Sequence, residues 1–195
     1  MDPERIVSLE SLQKALGYKF QSLQHLDHAL THSSYRHEAR SQNVMDNERL
    51  EFLGDAVLNF VVSHHLYNLF SDLAEGKLAK LKSFLVSEPI LASLAKQLEL
   101  GSYLKLGKGE TKSGGADRIS NLGNAFEAVI GAIYLDGGIE PVRKFILEQL
   151  QDDLDKSGQD YFLRDYKSIF QEFVQARFNT IPVYTIVSES GPDHD

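Results

Sequence analysis

Three carboxylates fall on one face of a predicted helix in the segment 47–58. Glu48, Glu51 and Asp55 stand at i, i+3 and i+7, a spacing that places them within a narrow arc of a helix. The rest of the helix is expected to be buried nearly all round, since the stripe is opposed or flanked by apolar residues: Leu50, Phe52, Leu53, Val57, Leu58 and Phe60. Neighbouring carboxylates repel when partly desolvated, so the pattern indicates a positive partner.

Two explanations of this stripe remain open from the residues alone. One is a solvated acidic face, and the other is a site for a divalent cation. The chain contains no cysteine, and oxygen donors without thiolates favour magnesium or manganese over zinc.

A second predicted helix, over residues 124–135, carries one ionisable acid, Glu127, among apolar residues. A buried glutamate is costly unless it is paired, protonated or bound to a metal. Asn124 lies one turn before it on the same face. A core glutamate paired with lysine or arginine is the alternative. Two helices that each present two oxygen donors would form a four-ligand cage, and such cages support phosphodiester hydrolysis.

The small residues Ala128, Gly131 and Ala132 recur at helical spacing and would allow another helix to approach this one closely.

The elements that must position these donors are helices. Apolar residues recur at helical spacing from about residue 10 to 150, and glycines separate the segments, which predicts an all-α domain. The polar segment 152–160 is typical of a linker. A helix over 166–174 and an alternating strand over 183–187 then predict the start of a small α+β unit that is too short to bury its own core.

Composition limits the class of protein further. The chain has 195 residues, a net charge of -8 and no apolar run near the length of a membrane span, so we expect a cytoplasmic protein with no membrane contact. The acidic balance argues against a simple electrostatic nucleic-acid binder. An acidic protein can still bind RNA if cations sit on its carboxylates and its lysines are grouped locally.

Four segments resemble the ribonuclease III family. The segment 48–58 matches the signature of the family almost residue for residue, as ERLEFLGDAVL. Weaker likeness lies in 29–35 (ALTHSSY), in 104–110 (LKLGKGE) with 113–115 (SGG), and in 126–132 (FEAVIGA). The resemblance predicts an endonuclease domain over 8–152, a linker over 153–163, and the first part of a double-stranded-RNA-binding domain over 164–195.

This resemblance implies an endoribonuclease that cleaves double-stranded RNA to 5′-phosphate and 3′-hydroxyl ends and processes ribosomal and other RNA precursors. It implies an obligate homodimer with one catalytic centre per subunit, and Mg²⁺ as cofactor with Mn²⁺ as a substitute. The metal ligands carried over by motif are Glu51, Asp55, Asn124 and Glu127, of which Asp55 and Glu127 are catalytic.

Further residues follow from the same resemblance. Glu48 and Glu75 match acidic positions that assist from outside the ligand shell or across the dimer, and Phe52 matches an aromatic residue of the dimer interface. The residues expected to contact RNA are Ser168, Gln171, Gln175 and His194.

The chain departs from the family pattern at position 124, where aspartate is usual and asparagine stands here. Asparagine offers a carbonyl oxygen but no negative charge. The second hypothesis is therefore a catalytically weakened or inactive dimer that binds double-stranded RNA. A third, more remote one is a helical phosphohydrolase of small nucleotides.

Two weaker signals have ordinary explanations. His28 and His32 have the i, i+4 spacing of a zinc pair, but no third ligand follows, which favours hydrogen bonding or packing. Lys105, Lys108 and Lys112 lie in a glycine-rich segment and either contact RNA phosphates or keep a loop soluble.

Overall fold

The structure, a computed structural model, describes residues 1–39 and 44–156 and, further along, 170, 171, 174, 175, 177–183 and 185. Two units separate within the chain, residues 1–154 and 155–195. The first consists of helices, as the hydrophobic periodicity predicted. Their bounds are α1 (Pro3–Leu16), α2 (Leu23–Ala29), α3 (Ser33–Glu38), α4 (Glu48–Leu69), α5 (Glu75–Leu85), α6 (Glu88–Gln97), α7 (Leu100–Tyr103), α8 (Lys108–Lys112), α9 (Ile119–Gly137), α10 (Ile139–Gln149) and α11 (Gln151–Lys156), with a 3₁₀ turn at Gly115–Asp117.

Helix α9 is the centre of the core. Between Asn121 and Ile133 all of its residues are buried except Asn124 and Glu127, which are half-buried. Helices α4, α6, α2 and α10 pack around it, and α4 makes the most extensive contact. A helix that is apolar on nearly all sides is stable only when surrounded in this way.

Two glycines allow α4 and α9 to cross with their backbones in contact. A Cβ added at Gly54 would overlap the carbonyl oxygen of Glu127, and one added at Gly131 would overlap the carbonyl oxygen of Leu50. The prediction that small residues on this helix permit close approach is therefore confirmed. The contact fixes the register between α4 and α9, and so fixes where the acidic residues of one helix lie relative to those of the other.

The segment before α4 is anchored by polar contacts. Asp46 is buried, and its carboxylate accepts from the backbone N–H of Glu48 and lies 2.5 Å from Nη1 of Arg36. Its backbone carbonyl lies 2.6 Å from Nε2 of His28. Asn47 donates its backbone N–H to Thr31 at 2.8 Å. These contacts fix the end of α4 that carries Glu48 and Glu51.

Two sequence expectations need correction. Helix α4 is not buried nearly all round, because Phe52 is 81% exposed and Phe60 is 60% exposed. Helical periodicity places apolar residues on a face but does not say whether the same chain covers that face. The glycine-rich segment 105–115 is also not simply a loop, since it contains α8.

Polar residues at the C-terminal end of the first unit are helical, since α11 covers the start of the segment predicted to be a linker. In the second unit Phe170, Gln171, Val174 and Gln175 are helical, in agreement with the helix predicted there. No strand occurs at the described positions of 183–187, namely Val183 and Thr185.

Candidate active site

The carboxylates of α4 and α9 lie near one another beside the glycine crossing, the point where Gly54 and Gly131 bring the two helix backbones into contact. Glu51 is half-buried and Asp55 is exposed on α4, while Glu127 is half-buried on α9 directly behind Gly54. Glu48, the first residue of α4, is exposed and close enough for its charge to act on Glu51. Asn124 is half-buried one turn before Glu127. The structure therefore brings the predicted donors of both helices to one region.

Burial and the repulsion between neighbouring carboxylates both act on the half-buried glutamates of this region. The pKa of the Glu127 carboxyl is raised to about 7, mainly by burial and in addition by the negative charges of Asp55, Glu51 and Glu88. The pKa of Glu51 is raised by burial and by its neighbours on α4. No lysine or arginine of the described chain forms an ion pair with Glu127. The alternative of a core glutamate paired with a basic residue is therefore not found among these residues.

The donors fit a hard divalent cation in their chemistry but form an open arrangement. Carboxylate and amide oxygens are the donors that magnesium and manganese prefer. As placed, no three His, Asp or Glu side chains of the described residues converge closely enough to hold one ion. A cation between α4 and α9 would offset the mutual repulsion of these carboxylates. The side chains would have to turn towards it, while the helices already stand in place.

A hydrogen bond within α4 orients one of these donors. The side-chain nitrogen Nδ2 of Asn59 donates to Oδ1 of Asp55 at 2.7 Å and to the backbone oxygen of Asp55 at 2.9 Å. One carboxylate oxygen of Asp55 is thereby held along the helix. The sequence analysis did not single out Asn59, although its i+4 position relative to Asp55 was a readable signal.

Glu88 is the second residue that the sequence analysis did not identify. It begins α6 and belongs to no acidic stripe, so nothing in the local pattern connects it with Glu127. Only the packing of α6 on α9 reveals that its charge acts there.

Glu75 lies apart from this cluster. It begins α5 and lines a cleft of about 240 Å³ together with Tyr67, near the C-terminal end of α4. Sixteen residues separate Glu51 from Tyr67, which corresponds to about 24 Å along a helix. Within one chain, Glu75 therefore does not complete the site formed by α4 and α9.

Exposed apolar side chains line one side of α4. Phe52, Phe60 and Tyr67 are 81%, 60% and 72% exposed, respectively. A hollow of about 320 Å³ lies beside them, and its lining residues are Leu53, Ala56, Val57, Phe60, Tyr134 and Ile139. Large aromatic side chains grouped in this way are typical of a protein interface.

Other predicted positions have structural roles or lie outside the description. Both His28 and His32 use ring nitrogens in hydrogen bonds, to the Asp46 backbone and to Ser34, which confirms the hydrogen-bonding interpretation. The ammonium group of Lys105 pairs with Asp27 at 2.7 Å. Gln171 is half-buried and Gln175 is exposed. Ser168 and His194 lie outside the described residues.

Comparison with known proteins gives consistent matches. The model of the family described as ribonuclease-III-like matches residues 23–154. Ribonuclease 3 of Leptospira interrogans is 45% identical over 194 residues, which is 99% of this chain and 78% of that protein. Ribonuclease 3 of Geobacter sulfurreducens is 47% identical over 188 residues, covering 96% of this chain and 76% of that protein.

A solved structure agrees with these sequence matches. The nuclease domain of ribonuclease III from Campylobacter jejuni, which shows structural flexibility in a region involved in dimer formation, superposes with a TM-score of 0.68 at 40% identity. The match covers 74% of this chain and 96% of that one. Family model, relatives and fold agree with one another, and the chain belongs to the ribonuclease III family.

Proposed function

We propose that this protein is an endoribonuclease that cleaves double-stranded RNA by hydrolysis and leaves 5′-phosphate and 3′-hydroxyl ends. The observation that carries the proposal is the meeting of Glu51, Asp55 and Glu127 where α4 and α9 cross, with no basic residue of the described ranges in an ion pair with them. Relatives named ribonuclease 3 that align with nearly the whole chain support the same activity. Processing of ribosomal, messenger and transfer RNA precursors is the corresponding cellular role.

The metal set of this proposal is Glu51, Asp55, Asn124 and Glu127, with Mg²⁺ as cofactor and Mn²⁺ as a substitute. When bound, the ion supplies positive charge against the phosphate oxygens and makes a water molecule more acidic. Asp55 and Glu127 are the proposed catalytic residues, because they come from different helices and the charge of Asp55 acts on Glu127. Glu51 adds a donor from the preceding turn of α4, and Glu48 adds negative charge outside the ligand set.

A homodimer through the exposed face of α4 completes the proposal. Phe52 and its aromatic neighbours give that face its apolar character, and the hollow beside them has room for a side chain of a second copy. Because Glu75 lies far from the acidic cluster of its own chain, we assign it a supporting role that requires the dimer.

Among the helices of the described residues, none has the length and apolar character of a membrane span.

Residues 8–152 form the endonuclease domain of this proposal, followed by a linker over 153–163. Residues 164–195 would contribute part of a double-stranded-RNA-binding domain, and the helical state around Gln171 and Gln175 supports that assignment. By the resemblance, both glutamines are assigned to RNA contact, together with Ser168 on the same predicted helix and His194 in a later loop.

A cleavage assay tests this function directly. The protein is incubated with Mg²⁺ and, in separate reactions, with duplex RNA, single-stranded RNA of the same sequence, or nucleotides. We expect cleavage of the duplex alone, with 5′-phosphate ends. Hydrolysis of nucleotides alone would favour the phosphohydrolase hypothesis and contradict the proposal.

A dimer that binds duplex RNA but cuts it weakly is the second candidate, and the neutral Asn124 is the observation that favours it. Duplex binding without cleavage in the same assay would support this candidate. The Asn124→Asp variant, described below, then distinguishes a weak site from a missing one.

A further inference from the structure

Helix α6 begins against the catalytic face of α9. A Cβ added at Gly123 would lie 3.4 Å from Cγ of Glu88 and 3.8 Å from its backbone oxygen. Gly123 is buried, and the absence of a side chain there lets the first turn of α6 rest on α9. The side chain of Glu88 therefore lies over the turn of α9 that also contains Asn124.

The turn of α9 that contains Gly123 and Asn124 precedes Glu127 by one helical turn. At about 100° per residue, Gly123 and Asn124 flank the line of Glu127 at roughly 40° and 60° on its two sides. Glu88 contacts the glycine on one side, and the amide of Asn124 projects on the other. The contact at Gly123 places Glu88 about one helical turn from Glu127, a separation at which its negative charge acts on that part of α9.

No other partner accounts for the Glu88 carboxylate in the part of the chain that the structure describes. It forms no ion pair there and does not cap its own helix, and the side chain is exposed. A glutamate in a first helical turn is favoured by the helix dipole, which is a purely structural reason for its presence. The helix dipole explains a glutamate at the start of α6, but it does not explain why Glu88 lies beside Glu127 of α9.

We propose that Glu88 is a further acidic residue of the metal site, which supplies the negative charge that Asn124 lacks and so maintains the affinity for divalent cations. The inference rests on the proposed function. Glu51, Asp55 and Glu127 provide three negative charges from α4 and α9, and Glu88 provides a fourth from α6. Glu88 is a positioning residue, which acts on the ion through the electrostatic field of its charge and through water.

The test is a charge swap between positions 88 and 124. Manganese affinity of the full chain is measured by titration calorimetry, without RNA, for the wild type, Glu88→Gln, and the double variant Glu88→Gln with Asn124→Asp. Glu10→Gln is the control, because Glu10 is exposed on α1, away from the site. Melting temperatures in EDTA are recorded for all four proteins, since loss of a helix-dipole interaction would change those temperatures and leave the affinity alone.

We expect Glu88→Gln to weaken manganese binding by about 10-fold, the scale of single changes around metal sites, and the double variant to return to within about 3-fold of the wild type. The control should bind as the wild type does. Unchanged binding by Glu88→Gln overturns the role of Glu88 alone, and so does a double variant as weak as Glu88→Gln. A wild type that binds no manganese overturns the proposed metal site, and the role of Glu88 with it.

Discussion

Nδ2 of Asn59 lies 2.7 Å from Oδ1 of Asp55, so the carboxylate that we propose as catalytic is held by a residue one turn further along its own helix. The same amide also donates to the backbone oxygen of Asp55. Asp55 is otherwise exposed, and this contact restricts its rotamers before any ion binds. Less side-chain entropy then has to be lost when the carboxylate becomes a ligand.

Removing this restraint should weaken the site without unfolding it. A hydrogen bond of this kind contributes about 1 kcal/mol, so Asn59→Ala should raise the magnesium concentration for half-maximal cleavage by roughly 5-fold. Asn68→Ala is the matched control, because Asn68 makes the same i, i+4 contact to the backbone of His64 at 2.8 Å, far from the acids. Equal effects of the two substitutions would remove Asn59 from the site.

Glu127→Gln should abolish cleavage while duplex RNA is still bound. The two side chains have nearly the same shape, and the carbonyl of residue 127 that contacts Gly54 belongs to the backbone, so the helix crossing is kept. A gel-shift assay, a cleavage assay and sedimentation on one preparation test this. Cleavage near the wild-type rate would exclude Glu127 from the mechanism, and unfolding would indicate a structural role instead.

The metal-free protein should lose stability as the pH rises from about 4.5 to 7. The pKa of Glu127 is about 7 in the folded chain, above its ordinary value near 4.5, so the folded state holds the proton more strongly over this range. Burial is the main cause, and the carboxylates of Asp55, Glu51 and Glu88 add to it.

After allowance for solvent screening of a half-buried group, this contribution is about 1 kcal/mol. Urea unfolding in EDTA at pH 5 and pH 7.5 measures it for the wild type and for Glu127→Gln. The wild type should lose about 1 kcal/mol more than the variant between the two pH values. An identical loss in both proteins would mean that residue 127 does not titrate in this range.

Phe52→Ala should convert the proposed dimer into monomer at micromolar concentration and abolish cleavage. Truncation of a large buried aromatic side chain costs about 3–5 kcal/mol, and a symmetric dimer loses two of them. Sedimentation velocity gives the mass. Phe178→Ala is the control, since Phe178 is 62% exposed but belongs to the second unit. An active dimer of Phe52→Ala would contradict the proposed interface.

Asn124→Asp should lower the magnesium concentration for half-maximal cleavage by roughly 10-fold, because it restores a negative charge beside the cation. The two side chains are nearly isosteric, so the melting temperature in EDTA should change little. An unaltered magnesium dependence would show that position 124 does not contact the metal. Cleavage by the aspartate form alone would favour the weakened RNA-binding dimer for this sequence.

The sequence could predict those parts of the site that depend on spacing within one helix. Glu51 and Asp55 share a face because of the helical period, and Glu127 attracts attention as one acid in an apolar helix. The close approach of α9 to another helix was readable from Gly131. Each of these depends on neighbours three or four residues away.

The remaining features depend on contacts between distant segments. Glu88 reaches the site only because α6 packs on Gly123, and Lys105 pairs with Asp27 across 78 residues. The exposure of Phe60 could not be predicted, because periodicity marks an apolar face without telling whether its own chain or a second copy covers it. In each case the missing information was tertiary.

The backbone contact at Gly54 and Gly131 has a consequence for how this lineage can evolve. At these two glycines the helices meet through main-chain atoms, and the nearest neighbours of each glycine are backbone atoms of the other helix. Drift at the acids can therefore extinguish catalysis while a descendant retains the folded scaffold and the surfaces presented by it. Substitutions at either glycine are selected against sooner, because even one added methyl group separates the helices. Pseudoenzymes should thus arise from this fold by loss of acids, with both glycines still in place.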